Sequence, residues 1–326
     1  MKHNNKKRWL AAGLALLVLL VSLFTDGNKA KLEEKLDIRK EALDRFYSME
    51  EEEVYGSNPM QKISIIDVDG VIAADSNNDA IVEMLKEARN DPNILGVIMH
   101  INSPGGSVYA SEKIYKEIKK LQKENKPVYA VMQELAASGG YYISAPCDKI
   151  FASNETFTGS IGVIIESYSL EGLFKKYGVK EQNITSGKMK DAGSKGKDMD
   201  KEEKQYFQGL VDSAFSRFVK VVADGRDMSE SEVRKLADGR IYDGSQAVKN
   251  GLIDNIGDLE DAYNDMAKEY NMTDPLAVKK VDVFSDFSKY LPSFKSQSGK
   301  SDLEVLEELM KAEALKPMYL YGGYYE

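Results

Sequence analysis

An α/β fold with a largely parallel sheet is predicted by two features. Short apolar runs alternate with segments of helical periodicity, and the runs are continuously apolar, as strands covered on both faces must be. Residues 63–72 (ISIIDVDGVI) read as the first strand and residues 78–89 as a helix. Residues 94–101 (ILGVIMHI) form a second, more apolar strand, and residues 107–123 an amphipathic helix. Residues 127–133 (PVYAVMQ) supply a third strand, followed by a small-residue turn and a short helix through Tyr142. Residues 150–153 and 161–165 are expected as short strands, and residues 200–259 as mostly helical, with a long helix over 201–223. A late strand is expected at 281–284 and a polar linker at 285–300. Ser301 and Glu304 form a capping box for a helix that stops at Pro317. The final residues, Met318 to Glu326, contain Gly322 and Gly323 and are expected to lack fixed structure.

Four regions follow. Residues 1–28 are a basic flank and an apolar segment, 29–60 a charged stalk, 61–285 the folded domain and 286–326 a C-terminal extension. Lys2, Lys6, Lys7 and Arg8 precede the uncharged run from Trp9 to Phe24, the pattern of a signal peptide or signal anchor. At about 1.5 Å per residue the run reaches roughly 24 Å, close to the ~30 Å of a bilayer core. No good cleavage site follows it, so an uncleaved transmembrane helix is expected. Its basic end stays in the cytoplasm and the folded domain lies outside. The acidic run Glu50 to Glu53 reads as a solvated face.

Composition narrows the chemistry. The net charge of −9 and the lack of a basic stripe argue against a nucleic-acid partner. Cys147 is the only cysteine, which excludes an internal disulfide and a thiolate metal cluster, and it reads as a small buried hydrophobe. The only histidines are His3, ahead of the apolar run, and His100, inside an apolar strand, so a Ser-His-Asp triad is not expected. No metal and no cofactor are implied.

Two glycine turns, Asn102-Ser103-Pro104-Gly105-Gly106-Ser107 and Ala136-Ala137-Ser138-Gly139-Gly140-Tyr141-Tyr142, each join a strand to a helix. Strand ends are where sites gather in parallel α/β folds. Glycines there let backbone N–H groups converge as an oxyanion hole. Either turn alone reads equally as plain structure, and the first lacks the pattern of a phosphate loop. Ser138, flanked by Ala137 and Gly139, has an accessible hydroxyl, although an isolated Ser-Gly-Gly is commonly a turn or helix cap. It does not fit the G-x-S-x-G elbow, since Ala136 replaces the first glycine. A serine nucleophile needs a base, and without histidine the practical one is a lysine whose burial keeps its amine neutral. The small-residue segment from Ser186 to Ser194 holds Lys188 and Lys190, and composition does not choose between them.

At these residues the sequence resembles the signal peptide peptidase A family, in its short, single-repeat form from Gram-positive bacteria. The resemblance covers residues 62–267 and rests on four motifs: Ser103-Pro104-Gly105-Gly106, Ala137-Ser138-Gly139-Gly140-Tyr141-Tyr142, Thr158-Gly159-Ser160-Ile161-Gly162 and Gly187-Lys188-Met189-Lys190. It implies a Clp-protease/crotonase-like fold and a membrane-anchored serine endopeptidase with a Ser/Lys dyad that degrades remnant signal peptides. It makes Ser138 the nucleophile, Lys190 the general base and Ser160 the side chain that orients the lysine. The oxyanion hole falls to the backbone of Gly105 and Gly139. It further implies a ring-like homo-oligomer with serine and lysine supplied by different protomers, since the chain holds one repeat. An acyl-CoA hydratase or isomerase on the same fold, and an inactive membrane scaffold, are the competing readings.

Overall fold

A computed structural model of the chain describes residues 50–281 and 316–321. The apolar run at 9–24 and the capping-box helix after Ser301 lie outside the described residues. Among those described, no helix is long and apolar enough to cross a membrane.

Eleven strands and eight α-helices are described. The strands are β1 (Glu50–Tyr55), β2 (Asn58–Asp69), β3 (Ile94–Ser103), β4 (Gly105–Ser107), β5 (Val128–Ala137), β6 (Lys149–Ala152), β7 (Phe157–Gly159), β8 (Ile241–Asp243), β9 (Asn255–Ile256), β10 (Pro275–Val281) and β11 (Met318–Leu320). The helices are α1 (Ser76–Asn90), α2 (Val108–Lys123), α3 (Gly139–Ser144), α4 (Glu171–Tyr177), α5 (Lys201–Gly225), α6 (Glu230–Leu236), α7 (Gly244–Lys249) and α8 (Leu259–Glu269). One sheet runs β1-β10-β2-β3-β5-β6-β9, with β7 beside the end of β5 and β8 beside β7. The pairs from β10 through β9 are parallel, and β7 meets β8 antiparallel.

The sheet is mostly parallel because its strands are apolar on both faces. On β3, Val97, Met99 and Ile101 enter the larger core, against Ile114, Ile118 and Leu121 of α2 and Phe218 and Val222 of α5. Ile98 points the other way and joins Ile63, Ile65 and Tyr129 under Ala262, Tyr263 and Met266 of α8. Side chains of alternate parity thus feed two cores, as the pleat requires. Four helices start at reciprocal capping boxes, with Asp200, Ser229, Asp243 and Asp258 as the caps.

Several expectations are corrected. The acidic run keeps the expected exposure at Glu51, Glu52 and Glu53 but lies on strand β1, and β2 begins at Asn58, so the sheet starts inside the expected stalk. Pairing along a sheet overrides the weak strand propensity of glutamate. No strand forms at 161–165. The strand there is β7, and at its end Gly159 (φ +85°), followed by Ser160 (φ +48°), turns the chain off the sheet. The late strand is β10, ending at Val281 where the expected one begins.

Ile98 has no exposed surface, whereas Ile256 is 44% exposed. Ile98→Ala should lower unfolding free energy by about 2–5 kcal/mol in urea melts, and Ile256→Ala by under about 0.5 kcal/mol.

Candidate active site

β5 delivers Ala137 to the edge of the core, and the chain reverses at Ser138 into α3. Ser138 has φ +52° and ψ −111°, near the first central position of a type II′ turn, where glycine is usual. Such a conformation costs of order 1–3 kcal/mol for a residue with a side chain. Two backbone bonds hold it: Ser138 N–H donates to Gly159 O at 2.8 Å, and Tyr142 N–H to Ser138 O at 2.7 Å. The Ser138 hydroxyl makes no capping bond, so it is not spent on starting α3. The residue is 1% exposed.

The β5/β7 register sets the next neighbour. Ala137 pairs with Gly159, so Ser138 and Ser160 follow the last paired residues of adjacent strands. Ser160 is also left-handed and nearly buried, and its N–H donates to Arg240 O at 2.8 Å. Gly105 (φ +96°) approaches from the first glycine turn. A Cβ on it would lie 2.5 Å from the Gly139 nitrogen and 3.0 Å from Ala137 O. The two turns therefore touch through backbone, and glycine is needed for both the approach and the φ. The structure brings together Ser138, Ser160, Gly105 and Gly139. The Gly105 N–H, however, points to Ser103 Oγ at 3.1 Å, a bond internal to its turn.

The cleft is filled by the chain's own end, contrary to the expectation of an unstructured tail. β11 lies antiparallel on β4, pairing Tyr319 with Gly106 and Leu320 with Gly105. On its other edge Met318 exchanges both backbone bonds with Ile164, at 2.9 and 3.0 Å. Tyr319 has no exposed surface. Its ring stacks on Tyr142 at 4.8 Å and tilts against Phe218 at 4.7 Å, and its hydroxyl donates to Ala214 O at 3.0 Å. The Tyr319 carbonyl oxygen lies 2.1 Å from the point a Gly105 Cβ would occupy, so it faces the same small volume as the Gly139 nitrogen. The sequence offers Tyr142 only as part of the second glycine turn and the tail around Tyr319 only as a segment that could enter the site as substrate or plug; the strand at 318–320 and its partner Ile164 were missed. The alternation Met318-Tyr319-Leu320 is the faint signal that marks the strand.

Lys190 is elsewhere. It sits on a 3-10 turn, Lys188–Asp191, in the exposed arm between Ser160 and α5, and its own backbone N–H donates to Gly187 O. Its side chain makes no hydrogen bond to Ser138 or Ser160 among the described residues. Lys188 pairs with Glu202 on α5, and that hydrogen bond holds its ammonium above the usual lysine range. A lysine kept protonated in this way is a poor base.

His100 is engaged on the opposite face. Its Nδ1 lies 3.0 Å from Asp67 Oδ1, and Asp67 also pairs with Lys279. Burial pushes the Asp67 carboxyl up, but those two hydrogen bonds outweigh it and hold the group below its ordinary range. Cys147 is buried, and burial pushes its thiol well up, as befits an inert core residue. Among the described residues no group of His, Cys, Asp or Glu could hold a metal.

A backward-turning serine, a converging glycine turn and an extended peptide laid beside them are the parts of a peptide-cleaving site. The model of peptidase family S49 matches residues 120–273, and that of Clp protease matches residues 48–154. A protein of Enterococcus faecium whose name includes signal peptide peptidase SppA is 39% identical over 98% of this chain and 99% of its own length. The chain belongs to the signal peptide peptidase A family. Membership makes it a serine protease and sets aside the hydratase reading. "Protease 4" of Haemophilus influenzae is 36% identical over 70% of this chain and 38% of its own length. "Serine protease SPPA, chloroplastic" of Arabidopsis thaliana is 35% identical over 56% of this chain and 27% of its own. The parallel sheet agrees with the Clp-protease match, whose span runs from just before β1 to just past β6.

Gly105→Ala would push a methyl into the Tyr319 carbonyl and the Gly139 nitrogen. Peptidase kcat should fall about 100-fold or more, the effect of displacing an oxyanion donor, while the thermal unfolding transition persists.

Proposed function

We propose that this serine protease is a single-pass membrane endopeptidase that cuts apolar peptides, remnant signal peptides among them, with Ser138 as nucleophile and Lys190 as general base. The N-terminal apolar run anchors it with the basic flank in the cytoplasm and the catalytic domain outside. The observation that carries the reading is Ser138, held in a strained turn with its hydroxyl unspent beside an extended strand. β11 supplies a picture of the bound substrate: a peptide added between β4 and Ile164, with one large apolar side chain in the pocket of Tyr142 and Phe218.

The dyad forms between copies of the chain. Lys190 is exposed in a single chain. A general base must hold its amine neutral, and the body of a neighbouring copy laid over the arm would exclude the water that favours the charged form. The arm and the start of α5 carry exposed apolar side chains, Tyr168, Tyr177, Ile184, Tyr206 and Leu210, that a neighbour would bury. A closed ring satisfies every copy at once, because each both donates and receives an arm.

Acyl transfer then proceeds in two stages. Neutral Lys190 of a neighbouring copy, oriented by Ser160, takes the proton from Ser138 Oγ, and the oxygen attacks the substrate carbonyl. The oxyanion is held by the N–H of Gly139 and that of Gly105, which exchanges Ser103 Oγ for the stronger acceptor. Lys190 passes its proton to the leaving amine, then activates water to release the acyl group from Ser138.

A fluorophosphonate probe should label the wild type and not Ser138→Ala. Lys190→Ala should lose peptidase activity by at least about 1,000-fold with the oligomer intact by size exclusion, whereas Lys188→Ala stays within about threefold. Labelling of Ser138→Ala, or a dead Lys188→Ala beside an active Lys190→Ala, would overturn the assignment.

With its carbonyl over Gly105, the Tyr319–Leu320 bond is the one presented for cleavage. Intact mass spectrometry should find wild-type chains ending at Tyr319 and Ser138→Ala chains ending at Glu326. Identical C-termini would show that the tail is only a plug.

A further inference from the structure

The first glycine turn carries one peptide group that is held from both sides. The peptide between Pro104 and Gly105 is trans and planar, so its C=O and N–H point in opposite directions. The Gly105 N–H donates to Ser103 Oγ at 3.1 Å. The Pro104 C=O accepts the Tyr321 N–H at 3.0 Å. Ser103 therefore stands on one side of this peptide, and the strand in the cleft stands on the other.

Ser103 is a firm support. It has no exposed surface, and its backbone pairs with Ala136 at the end of the β3/β5 ladder. Gly140 packs so closely that a Cβ there would lie 2.8 Å from Ser103 O. The Pro104 ring locks its own φ, and the Gly105 C=O accepts the Ile72 N–H at 2.8 Å. What is left to adjust is the tilt of the Pro104–Gly105 plane, and the Ser103 hydroxyl sets it. A serine that accepts the N–H two residues on is an ordinary turn device. Here the far side of the same peptide meets the occupant of the cleft, which gives the turn a second consequence.

The place of Tyr321 says what that consequence is. The Tyr319 carbonyl faces the volume beside Gly105 and the Gly139 nitrogen. A peptide cut at that carbonyl has Leu320 and Tyr321 as the first two residues of its leaving segment. The bond to Pro104 O is thus made by the second of them. A substrate that reaches this residue gains the bond, and one that carries a dye amide after the scissile carbonyl does not. The contact is to main chain, so it reads the length of the leaving segment and not its side chains.

We infer that Ser103 is a positioning residue for the leaving segment: by holding the Gly105 N–H it aims the Pro104 carbonyl at the second residue past the scissile bond, and so favours substrates with at least two residues there. The inference rests on the reading of β11 as a picture of bound substrate. Ser103 acts through the peptide group it holds, while the substrate binds and before chemistry.

The test uses the full-length oligomer, with active sites counted by the fluorophosphonate probe. One substrate continues two or more residues past the scissile bond. A second has the same residues before the bond and an aminocoumarin after it. The ratio of their kcat/KM values cancels any change common to both, including one in how Gly105 meets the oxyanion. A third substrate is the long peptide with the amide before its second leaving residue replaced by an ester, which removes that N–H. In the wild type the ester should lower kcat/KM about three- to tenfold, the effect of one hydrogen bond, through KM. Ser103→Ala should lower the long-to-short ratio by the same factor, again through KM, and Ser103→Thr, which keeps the hydroxyl, should restore it. In Ser103→Ala the ester should cost under about twofold more, because both changes remove one contact. Ser103→Cys, close in size and a weaker acceptor, should lie between, and it takes the place of Ser103→Ala if that variant yields no labelled sites. An ester without effect on the wild type overturns β11 as the picture of substrate, and this inference with it. An ester that weakens binding beside an unmoved ratio in Ser103→Ala overturns the role of Ser103 alone. A role confined to folding would lower the count of active sites and leave the ratio in place.

Discussion

The bond from Ser138 N–H to Gly159 O is the constraint on which the site depends. It extends the β5/β7 pairing one residue past the strand and thereby holds a serine in a backbone conformation that side chains avoid. The reversal it enforces starts α3 at Gly139 and turns the hydroxyl away from the helix cap. Ser160 follows from the same register, because the residue after Gly159 must stand beside the residue after Ala137. The parallel sheet behind them, anchored in two apolar cores, provides the rigidity against which this strain is held.

The turn at Ser138 was legible because its physics is local. Small residues at a strand–helix junction permit few backbone paths, and both glycine turns lie where the sequence places them. The order of the first strands and helices was equally readable, since continuous apolar runs leave few alternatives to a buried strand. Composition did not separate Lys188 from Lys190, because the arm has several lysines in similar chemical settings. The ion pair that keeps Lys188 protonated involves Glu202 on a separate helix, and no local pattern announces it. Strand β1 and the start of β2 were hidden by their charge, and β11 by the glycines that follow it. Each of these strands exists because a distant edge is available to pair with, which a reading by neighbours does not register.

The body and the arm between Ser160 and α5 differ in how they are held. The body contains everything that must be rigid: the strained serine, the glycine turns and the aromatic pocket. The arm carries the lysine on a short turn that is fixed only at α5, and it presents apolar side chains to solvent.

β11 has one further effect. The strand β4 is bordered by Ile72 on one side and by β11 on the other. Without an occupant it would present bare backbone donors and acceptors along a groove already shaped for a strand, which is the template that drives unwanted cross-molecule sheet growth. A peptidase must keep such an edge available to bind its substrates, yet an open edge is an aggregation hazard whenever substrate is scarce. By lying there, β11 pairs that edge within the molecule itself, and the exposed backbone of β4 is shielded.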